Sequence, residues 1–346
     1  MPRLNDTLLV GLVSDMPSIQ TKDGQVVQMA VPLVVMNGTR SYGEKSYKNM
    51  QSGEIVNKGY DNVWILTKDE GFMSLIQGLK LYDTVMVKGA VRVTSVKKKT
   101  LCPECGQKHV FQSTKTTIYP IFMHKVSSVA DKYKVDSFAP GSITPEKEAK
   151  LKQESMDELN EFIEVSNVVR LIGVVCKEPD LYQRDSDGRP ILTFPLAVKR
   201  KYFVPEDDMS INVDFPYIKL YGSRAKQHYG ILHKANLIMI DGFVHSRSIL
   251  RKITCPKCGT VYTTSDNISE IIPYSIDYIR SNISDTEFGG NNDAALYRPQ
   301  IVGSEADIDL KYVTPEERVE SDIAEGNGGN AIDQKIQDIL DTMNDD

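Results

Sequence analysis

The sequence predicts a mainly β protein that contains two similar five-stranded barrels in tandem. A Cys-Pro-x-Cys-Gly motif occurs at residues 102–106 and again at 255–259, which is 153 positions later. The same offset aligns the apolar run 85–88 with the run 238–241. Apolar segments in both halves are short and bounded by turn residues, which is typical of strands. A duplicated β domain explains all three observations.

The duplication extends upstream of these runs, where the offset becomes 162. Residues 9–13 then align with residues 171–175. A change of offset between aligned segments indicates that the strands correspond while the loops between them differ in length.

Composition predicts a soluble, cytoplasmic protein. The chain has 346 residues, 40% hydrophobic and 25% charged, which is ordinary for two globular domains and a tail. We expect no membrane span and no signal peptide, because no apolar run reaches about 18 residues and the N-terminus lacks an apolar core. Four of the five cysteines lie in the two motifs, which favours metal binding in a reducing compartment over disulfides. Cys176 lies in an apolar strand pattern, so we expect it to be buried.

The net charge of −6 conceals an asymmetry along the chain. Residues 281–346 contain 16 acidic and 4 basic residues, so the first 280 residues are net positive. A basic body suits phosphates, and an acidic tail suits basic partners or competition for the body's own groove.

The first copy has the element order of a five-stranded barrel of the oligonucleotide-binding (OB) type. We expect the first domain to span residues 1–127, with its motif at the tip of the hairpin that joins the last two strands. The predicted elements are strands at 8–13, 26–35, 62–66, 84–96 and 117–123, and a helix at 69–79.

A helical linker and a second barrel follow. Thr144, Pro145 and Glu146 are a good helix start, so residues 128–166 are interpreted as a linker with a helix near 145–164. The second barrel spans 167–280. Its predicted elements are strands at 168–175, 191–199, 216–222, 236–248 and 271–279, and a helix at 224–233.

Residues 281–346 are predicted to be a flexible acidic tail that ends in a short amphipathic helix. The apolar residues of that helix fall on one face, and we expect them to bind partner proteins together with the terminal acids. This predicted partner-binding set is Ile332, Ile336, Ile339, Leu340, Met343, Asp345 and Asp346.

The two Cys-Pro-x-Cys-Gly motifs predict one structural zinc site. Each motif supplies two thiolates, and structural zinc takes four ligands. The predicted ligands are Cys102, Cys105, Cys255 and Cys258. Two arrangements are open: the two barrels share one zinc, which we favour, or each motif pairs with one from another chain. We expect His109, near the first motif, to be an ordinary exposed histidine, because the second copy has Tyr262 in that neighbourhood.

Aromatic and basic residues predict a surface for single-stranded nucleic acid, because flat side chains stack on bases and cations follow the phosphates. In the first copy the candidates are Arg40, Tyr42, Lys45, Tyr47, Lys48, Tyr60, Trp64, Lys97, Lys98 and Lys99. In the second copy they are Lys199, Arg200, Lys201, Tyr202, Phe203, Tyr217, Lys219, Tyr221, Arg224, Arg247, Arg251 and Lys252.

Strand alternation supports one part of this surface. Tyr217, Lys219 and Tyr221 point to one side of their strand, and the apolar residues between them point to the other. No phosphate loop, nucleophile elbow or HExxH motif occurs. A site filled by four cysteines has no open position for catalysis, so we expect no enzymatic activity.

Residues 167–175, Pro179 and residues 194–198 resemble the first strands of bacterial and phage single-stranded-DNA-binding proteins, and the acidic tail is similar to theirs. The resemblance implies OB folds, ssDNA binding and recruitment of replication and repair proteins by the tail. This chain departs from the usual pattern in three ways: it has two barrels, it has cysteine motifs, and its tip lacks a terminal Phe. Such a variant suits a phage or mobile element.

We therefore expect a non-enzymatic protein that coats ssDNA without sequence preference. The alternatives are an RNA-binding regulatory protein and a protein-interaction scaffold of a replication complex. Oligomeric state is open at this point.

Overall fold

A computed structural model describes most of the chain, and the described part is mainly β. The described residues are 2–37, 59–136, 138, 143–183, 188, 190–204 and 212–283. None of the helices among them is long and apolar enough to cross a membrane.

Five strands of the first half close into a ring. Each pairs with two others in the order β1, β3, β4, β6, β5 and back to β1, and every pairing is antiparallel except β4 with β6. β2 extends one side of the ring by pairing with β3. The elements are β1 (Leu4–Val13), β2 (Ser18–Lys22), β3 (Gln25–Asn37), β4 (Gly59–Thr67), α1 (Glu70–Gln77), β5 (Thr84–Leu101) and β6 (Lys108–Ser127).

The second half repeats this ring. The order is β7, β9, β11, β13, β12 and back to β7, with β11 and β13 parallel. The elements are β7 (Asn167–Val175), β8 (Asp180–Gln183), β9 (Pro190–Lys199), β10 (Val213–Asp214), β11 (Tyr217–Tyr221), α4 (Gly222–Tyr229), β12 (Leu237–Thr254) and β13 (Val261–Arg280). The strand pairings therefore agree with the duplication seen in the sequence.

Two long hairpins project from the rings. We call β5 and β6 with their turn hairpin one, and β12 and β13 with their turn hairpin two. The sequence prediction ended β5 near residue 96 and began β6 near 117, which is too short. Pairing continues to Leu101 and Lys108, because the polar residues beyond 96 form a regular ladder with alternately exposed and partly buried side chains.

A bulge bends each hairpin at an equivalent glycine. The register shifts at Gly89 and at Gly242. A Cβ atom would lie 2.4 Å from the Tyr119 carbonyl oxygen at the first position and 2.2 Å from the Ile272 oxygen at the second. Glycine is therefore required at both positions.

The two rings are joined through their equivalent first strands. β1 pairs with β7 in antiparallel fashion, and Thr7 lies opposite Val169. Under the offset of 162 these two residues are equivalent positions. An antiparallel pairing centred on equivalent residues has local twofold symmetry, so the duplicated halves form a pseudo-dimer within one chain.

The linker covers the outside of the first ring. α2 (Val129–Lys132) is followed by α3 (Pro145–Asn160), which begins at the predicted cap, where the Thr144 side chain accepts a hydrogen bond from the Lys147 N–H. Leu159 is fully buried against Val10 and Leu12 of β1. The helix ends about one turn earlier than predicted, and the chain turns into β7.

Candidate metal centre and nucleic-acid interface

The four motif cysteines lie at the tips of the two hairpins, in turns of the same geometry. In the first turn the Cys102 N–H donates to the Gln107 oxygen, and the Gly106 N–H donates to the Cys102 oxygen. The second turn repeats both bonds from Cys255 and Gly259. The two glycines have φ of 66° and 75°, a region that side chains disfavour. The motif therefore folds into a preformed pair of ligands in each half.

The tips meet, and the four sulfurs converge. Cys102 Sγ lies 3.6 Å from Cys258 Sγ, and Cys105 Sγ lies 3.6 Å from Cys255 Sγ. All four sulfurs lie within 4.8 Å of one another. A tetrahedral Zn²⁺ with Zn–S bonds of about 2.3 Å has S–S edges of about 3.8 Å, so the cluster fits such an ion. The structure thus brings the predicted ligands together within one chain.

The thiols differ in their acidity. Hydrogen bonding with Thr260, whose Oγ1 lies 3.3 Å from Cys258 Sγ, lowers the pKa of Cys258 to about 6. The backbone hydrogen bond of Cys105 with Gln107 favours its thiolate, but desolvation and the neighbouring thiols outweigh it and raise the pKa of Cys105 to about 12. Four thiolates this close repel one another, and a bound dication would remove that penalty.

The prediction that His109 is exposed is wrong. Its side chain is buried between the hairpins, with its ring centroid 5.9 Å from that of Tyr262. These two residues are equivalent under the offset of 153, so they face each other across the pseudo-twofold axis beneath the cysteines. The contact between them was not predicted from the sequence.

Further along the axis the hairpins are held by charge. Asp266 is buried in hairpin two and accepts hydrogen bonds from Ser113 Oγ at 2.9 and 2.8 Å. It also pairs with Lys98 and, at 2.5 Å, with Arg251 Nε. Burial alone would raise the pKa of Asp266, but the bonds from Lys98, Ser113 and Arg251 lower it. Two predicted nucleic-acid cations, Lys98 and Arg251, therefore neutralise a buried carboxylate.

Two equivalent aspartates make reciprocal contacts between the halves. Asp61 of β4 accepts the Ser246 N–H at 2.6 Å and lies 3.1 Å from His245 Nδ1. Asp214 of β10 accepts the Val93 N–H at 2.9 Å. Asp61 and Asp214 are 153 positions apart, as are Val93 and Ser246. The shared offset and residue type mark this pair in the sequence, although neither aspartate was among the predicted site residues.

On the first ring the predicted aromatic Trp64 lies on the outer side of β4 and is partly exposed. Lys115 Nζ lies 4.6 Å from its ring centroid. Burial, with a contribution from Lys98, lowers the pKa of Lys115. An aromatic face with an adjacent ammonium group can stack a base and neutralise a phosphate. Lys115 was missed because a lone lysine in a polar strand carries no signal.

On the equivalent surface of the second ring, charged side chains pair with one another. Tyr217 and Tyr221 are partly exposed, as the alternation predicts, but Lys219 between them is buried, and the expectation of an exposed cation there is wrong. Glu270 lies 3.6 Å from Lys219 Nζ and 3.1 Å from Arg247 Nε. Although burial would raise the pKa of Glu270, these cations hold it well below its ordinary value.

Two further arginines are structural. Arg200 is buried and makes paired hydrogen bonds to Asp214 at 2.6 and 2.9 Å, so the expectation of a solvent-facing cation there is wrong. Arg224 donates to the carbonyl oxygens of Pro273 and Tyr274. These hydrogen bonds offset the free-energy cost of removing the two guanidinium groups and their oxygen partners from water.

The remaining candidates have varied positions. Tyr60 packs partly buried near α3, and Lys199 is partly buried at the end of β9. Lys201 lies 5.2 Å over the ring of Tyr202, and Phe203 is 68% exposed. Lys97, Lys99 and Lys252 are exposed on the hairpins. Outside the described residues lie Arg40, Tyr42, Lys45, Tyr47, Lys48 and the partner-binding set Ile332, Ile336, Ile339, Leu340, Met343, Asp345 and Asp346.

Comparisons with known proteins point to one family. Residues 166–261 match the sequence model of the Single-strand binding protein family. The chain is 33% identical over 82 residues to a single-stranded DNA-binding protein of Clostridium tetani (strain Massachusetts / E88), which is 24% of this chain and 54% of that protein. The chain thus spans about half the length of that curated relative.

Two solved structures of a single-stranded DNA binding protein from Thermus aquaticus also align with this chain. The wild-type protein gives a TM-score of 0.46 at 12% identity, over 82% of this chain and 97% of that chain. A deletion mutant gives a TM-score of 0.44 at 13% identity with the same coverage.

The strand rings, the paired hairpins and the cysteine cluster define a mainly β protein with a four-cysteine site that is compatible with a metal. Residues 166–261 of this chain are thus similar to the Single-strand binding protein family.

Proposed function

We propose that the protein binds single-stranded DNA, coats it without sequence preference and protects it during replication, recombination and repair. The observation that carries this proposal is the family match of residues 166–261. The Trp64–Lys115 pair supports it, because stacking contributes roughly 1–3 kcal/mol per base and the ammonium group can meet a phosphate. The protein acts without enzymatic chemistry in this proposal, and it works in the cytoplasm.

The proposed organisation has two OB barrels in tandem. The first domain spans 1–127, the helical linker 128–166, the second domain 167–280 and the acidic tail 281–346. The two closed rings and their equivalent first strands support this division. One chain would then present two binding surfaces, whereas a chain with one barrel presents one.

The proposed cofactor is one structural Zn²⁺ bound by Cys102, Cys105, Cys255 and Cys258. The sulfur separations and the repeated turns support zinc over a disulfide, because two 3.6 Å contacts suit a tetrahedral edge and not a bond of about 2.0 Å. The ion would fasten the two hairpin tips and take no part in chemistry.

The acidic tail is proposed to recruit replication or repair proteins and to compete with DNA for the basic body. Its charge supports this role, with 16 acidic and 4 basic residues between 281 and 346. Deleting residues 327–346 should leave ssDNA affinity unchanged or higher. A tenfold loss of affinity, about 1.4 kcal/mol, would contradict competition by the tail.

The test of ssDNA binding is a titration of the intact protein with oligo-dT at low and high salt, followed by the fluorescence of Trp64, the single tryptophan. We expect tight binding at low salt, weaker binding at high salt and quenching of the emission. A parallel titration with matched RNA separates DNA from RNA specificity. No binding at low salt would overturn the proposal and favour a protein scaffold. If the protein is instead a protein-interaction scaffold, the double variant Tyr217→Ala with Tyr221→Ala should leave nucleic-acid affinity unchanged.

A further inference from the structure

The four motif cysteines differ in how far they are exposed to solvent. Cys102 and Cys255 are buried, with 2% and 0% of their surface exposed. Cys105 is partly exposed, and Cys258 is exposed. The oxidation of a cysteine depends on its access to solvent, so a small oxidant should meet Cys258 most readily and Cys105 next.

Each of these two more exposed sulfurs lies against a buried sulfur of the other hairpin. Cys258 Sγ of hairpin two is 3.6 Å from Cys102 Sγ of hairpin one. Cys105 Sγ of hairpin one is 3.6 Å from Cys255 Sγ of hairpin two. The two contacts use each cysteine once, so both pairs can form a disulfide in the same molecule. An accessible thiol with a second thiol beside it is the arrangement of a redox-sensitive pair, in which the second thiol resolves the oxidised first one.

Below the tips, the hairpins also contact each other without the cysteines. Ser113 Oγ of hairpin one donates to the carboxylate of Asp266 of hairpin two at 2.9 and 2.8 Å. Thr116 Oγ1 of hairpin one donates to the carbonyl oxygen of Ser269 of hairpin two at 3.1 Å. These contacts hold the tips together when the cysteines bind no metal, so each buried sulfur stays within reach of its partner.

We propose that the four-cysteine cluster is a peroxide-sensitive modification site as well as a metal site. Oxidation releases the metal and joins the hairpins by two disulfides, Cys102 with Cys258 and Cys105 with Cys255. This inference rests on the proposed zinc cofactor of the reduced state. The tips are then fastened in both states, by the metal when the thiols are reduced and by covalent bonds when they are oxidised.

The reaction balances with hydrogen peroxide as the oxidant. The Cys258 thiolate attacks one peroxide oxygen, the O–O bond breaks, and the leaving hydroxide takes up a proton to form water. The Cys102 thiolate then attacks the sulfur of the resulting sulfenic acid, the S–S bond forms, and the S–O bond breaks to release a second hydroxide, which is protonated to water. Two thiolates, one peroxide and two protons thus give one disulfide and two waters. Cys105 and Cys255 consume a second peroxide in the same way, and no thiolate is left to bind a dication.

Disulfides across the hairpins and disulfides within one motif close loops of very different length. The cross-hairpin bonds join cysteines that are 156 and 150 positions apart. A bond between Cys102 and Cys105 joins cysteines only three positions apart. Because a disulfide restricts the unfolded chain more when its loop is longer, only the cross-hairpin pattern should raise Tm strongly.

The test is disulfide mapping of the full, zinc-loaded chain after treatment with hydrogen peroxide. Glu104 lies between the two cysteines of the first motif, and Lys257 lies between those of the second. Digestion with trypsin together with a glutamate-specific protease therefore places the four cysteines on four separate peptides. Free thiols are blocked with iodoacetamide at each time point, and the peptides are weighed by mass spectrometry without reduction.

We expect two linked pairs of peptides, Cys102 with Cys258 and Cys105 with Cys255, and the pair that contains Cys258 should form first. One zinc per chain should be released to a chromogenic chelator, and dithiothreitol with added zinc should restore it. The oxidised chain should melt about 10 °C above the reduced, metal-free chain. Cys176→Ala is the matched control, because this buried thiol lies outside the cluster and its loss should leave both pairs unchanged.

The outcomes separate the inference from the cofactor on which it rests. A reduced chain that binds no zinc would show that the proposed cofactor is wrong, and mapping of the peroxide-treated, metal-free chain would still test the cross-hairpin pairs. Bonds within either motif, any other pairing, or sulfinic and sulfonic acids without linked peptides would overturn the inference. Retention of zinc under conditions that fully oxidise free glutathione would also overturn it.

Discussion

Hairpin one and hairpin two are copies of the same structure with strands of 18 and 20 residues, yet their surfaces differ. Both have a glycine bulge near the ring and a Cys-Pro-x-Cys-Gly turn at the tip. Their outer faces share one lysine position, and their charge balance is different. The bulge and the cysteine turn are common to both copies, whereas equivalent positions that face each other across the pseudo-twofold axis can differ in residue type, as His109 and Tyr262 do.

Several cations of the second copy are paired with acids of the same copy. Arg200, Lys219, Arg247 and Arg251 each lie beside a buried or half-buried carboxylate. Burying a charge without a partner is costly, so these pairs hold the hairpins and the ring together. Hairpin one contains fewer acids than hairpin two, and although Lys98 pairs with Asp266, its Lys97, Lys99 and Lys108 remain exposed.

Metal binding should depend equally on the two hairpins. Cys102→Ser with Cys105→Ser and, separately, Cys255→Ser with Cys258→Ser should each reduce bound zinc from one per chain to none. If free zinc exceeds its dissociation constant about 10⁴-fold, the loss is about 5.5 kcal/mol, or roughly 11–22 °C in Tm.

Metal content by mass spectrometry and thermal melting measure these effects. Cys176→Ala is the control, because this buried thiol lies outside the cluster and should leave the metal content at one. Retention of one zinc by either double variant would show that the tips do not share a single ion.

Replacement of the two reciprocal aspartates, Asp61 and Asp214, should destabilise the protein by different amounts. Asp214→Ala leaves the buried Arg200 without a carboxylate, which should cost about 3–5 kcal/mol. Asp61→Ala removes the acceptor of the Ser246 N–H, and its other partner, His245, can become neutral, so the cost should be about 1–3 kcal/mol. Urea unfolding of both variants gives the comparison, and equal losses would contradict the role assigned to Arg200.

The smallest expected effect is a pH dependence of the free energy of unfolding that comes from His245, which contacts Asp61. Burial lowers the pKa of His245, but the carboxylates of Asp61 and Glu270 outweigh burial and the nearby Arg247, so the pKa is raised above its ordinary value. A raised pKa in the folded state adds stability that is fully present below the ordinary value of about 6.5 and is lost as the pH rises through the raised value.

Unfolding free energies measured between pH 5.5 and 8.5 should therefore fall with increasing pH. In His245→Arg, the residue matches Arg92, its counterpart in the first copy, and this part of the slope should disappear because arginine stays charged. A variant that retains the full slope would assign the titration to another group.

Part of the fold and of the site was predictable from local pattern. The mainly β character and the helix cap at Thr144 agree with sequence expectations, because strand alternation and capping residues act over a few positions. Helix and strand ends were less accurate. The outer halves of β5 and β6 have the polar composition of a loop. Their strand character depends on pairing with each other and on contact with hairpin two, which local sequence does not reveal.

The candidate site divides in the same way. The convergence of the four cysteines was predictable from two motifs in register, whereas Lys115 as the partner of Trp64 was not, because β4 and β6 are distant in sequence. The expected role of the exposed lysines in binding nucleic acid stays a prediction.

The sequence by itself determined that this protein is a duplicated β chain with two ligand turns and an acidic tail, because repeats, turn residues and composition are local properties. Only the tertiary structure decided which side chains are exposed to solvent. Arg200 and Lys219 look like surface cations in the sequence, and His109 looks like a surface histidine, yet all three are buried. Their burial follows from packing between distant segments of the chain, and for His109 from the other hairpin across the pseudo-twofold axis, so no local pattern could reveal it.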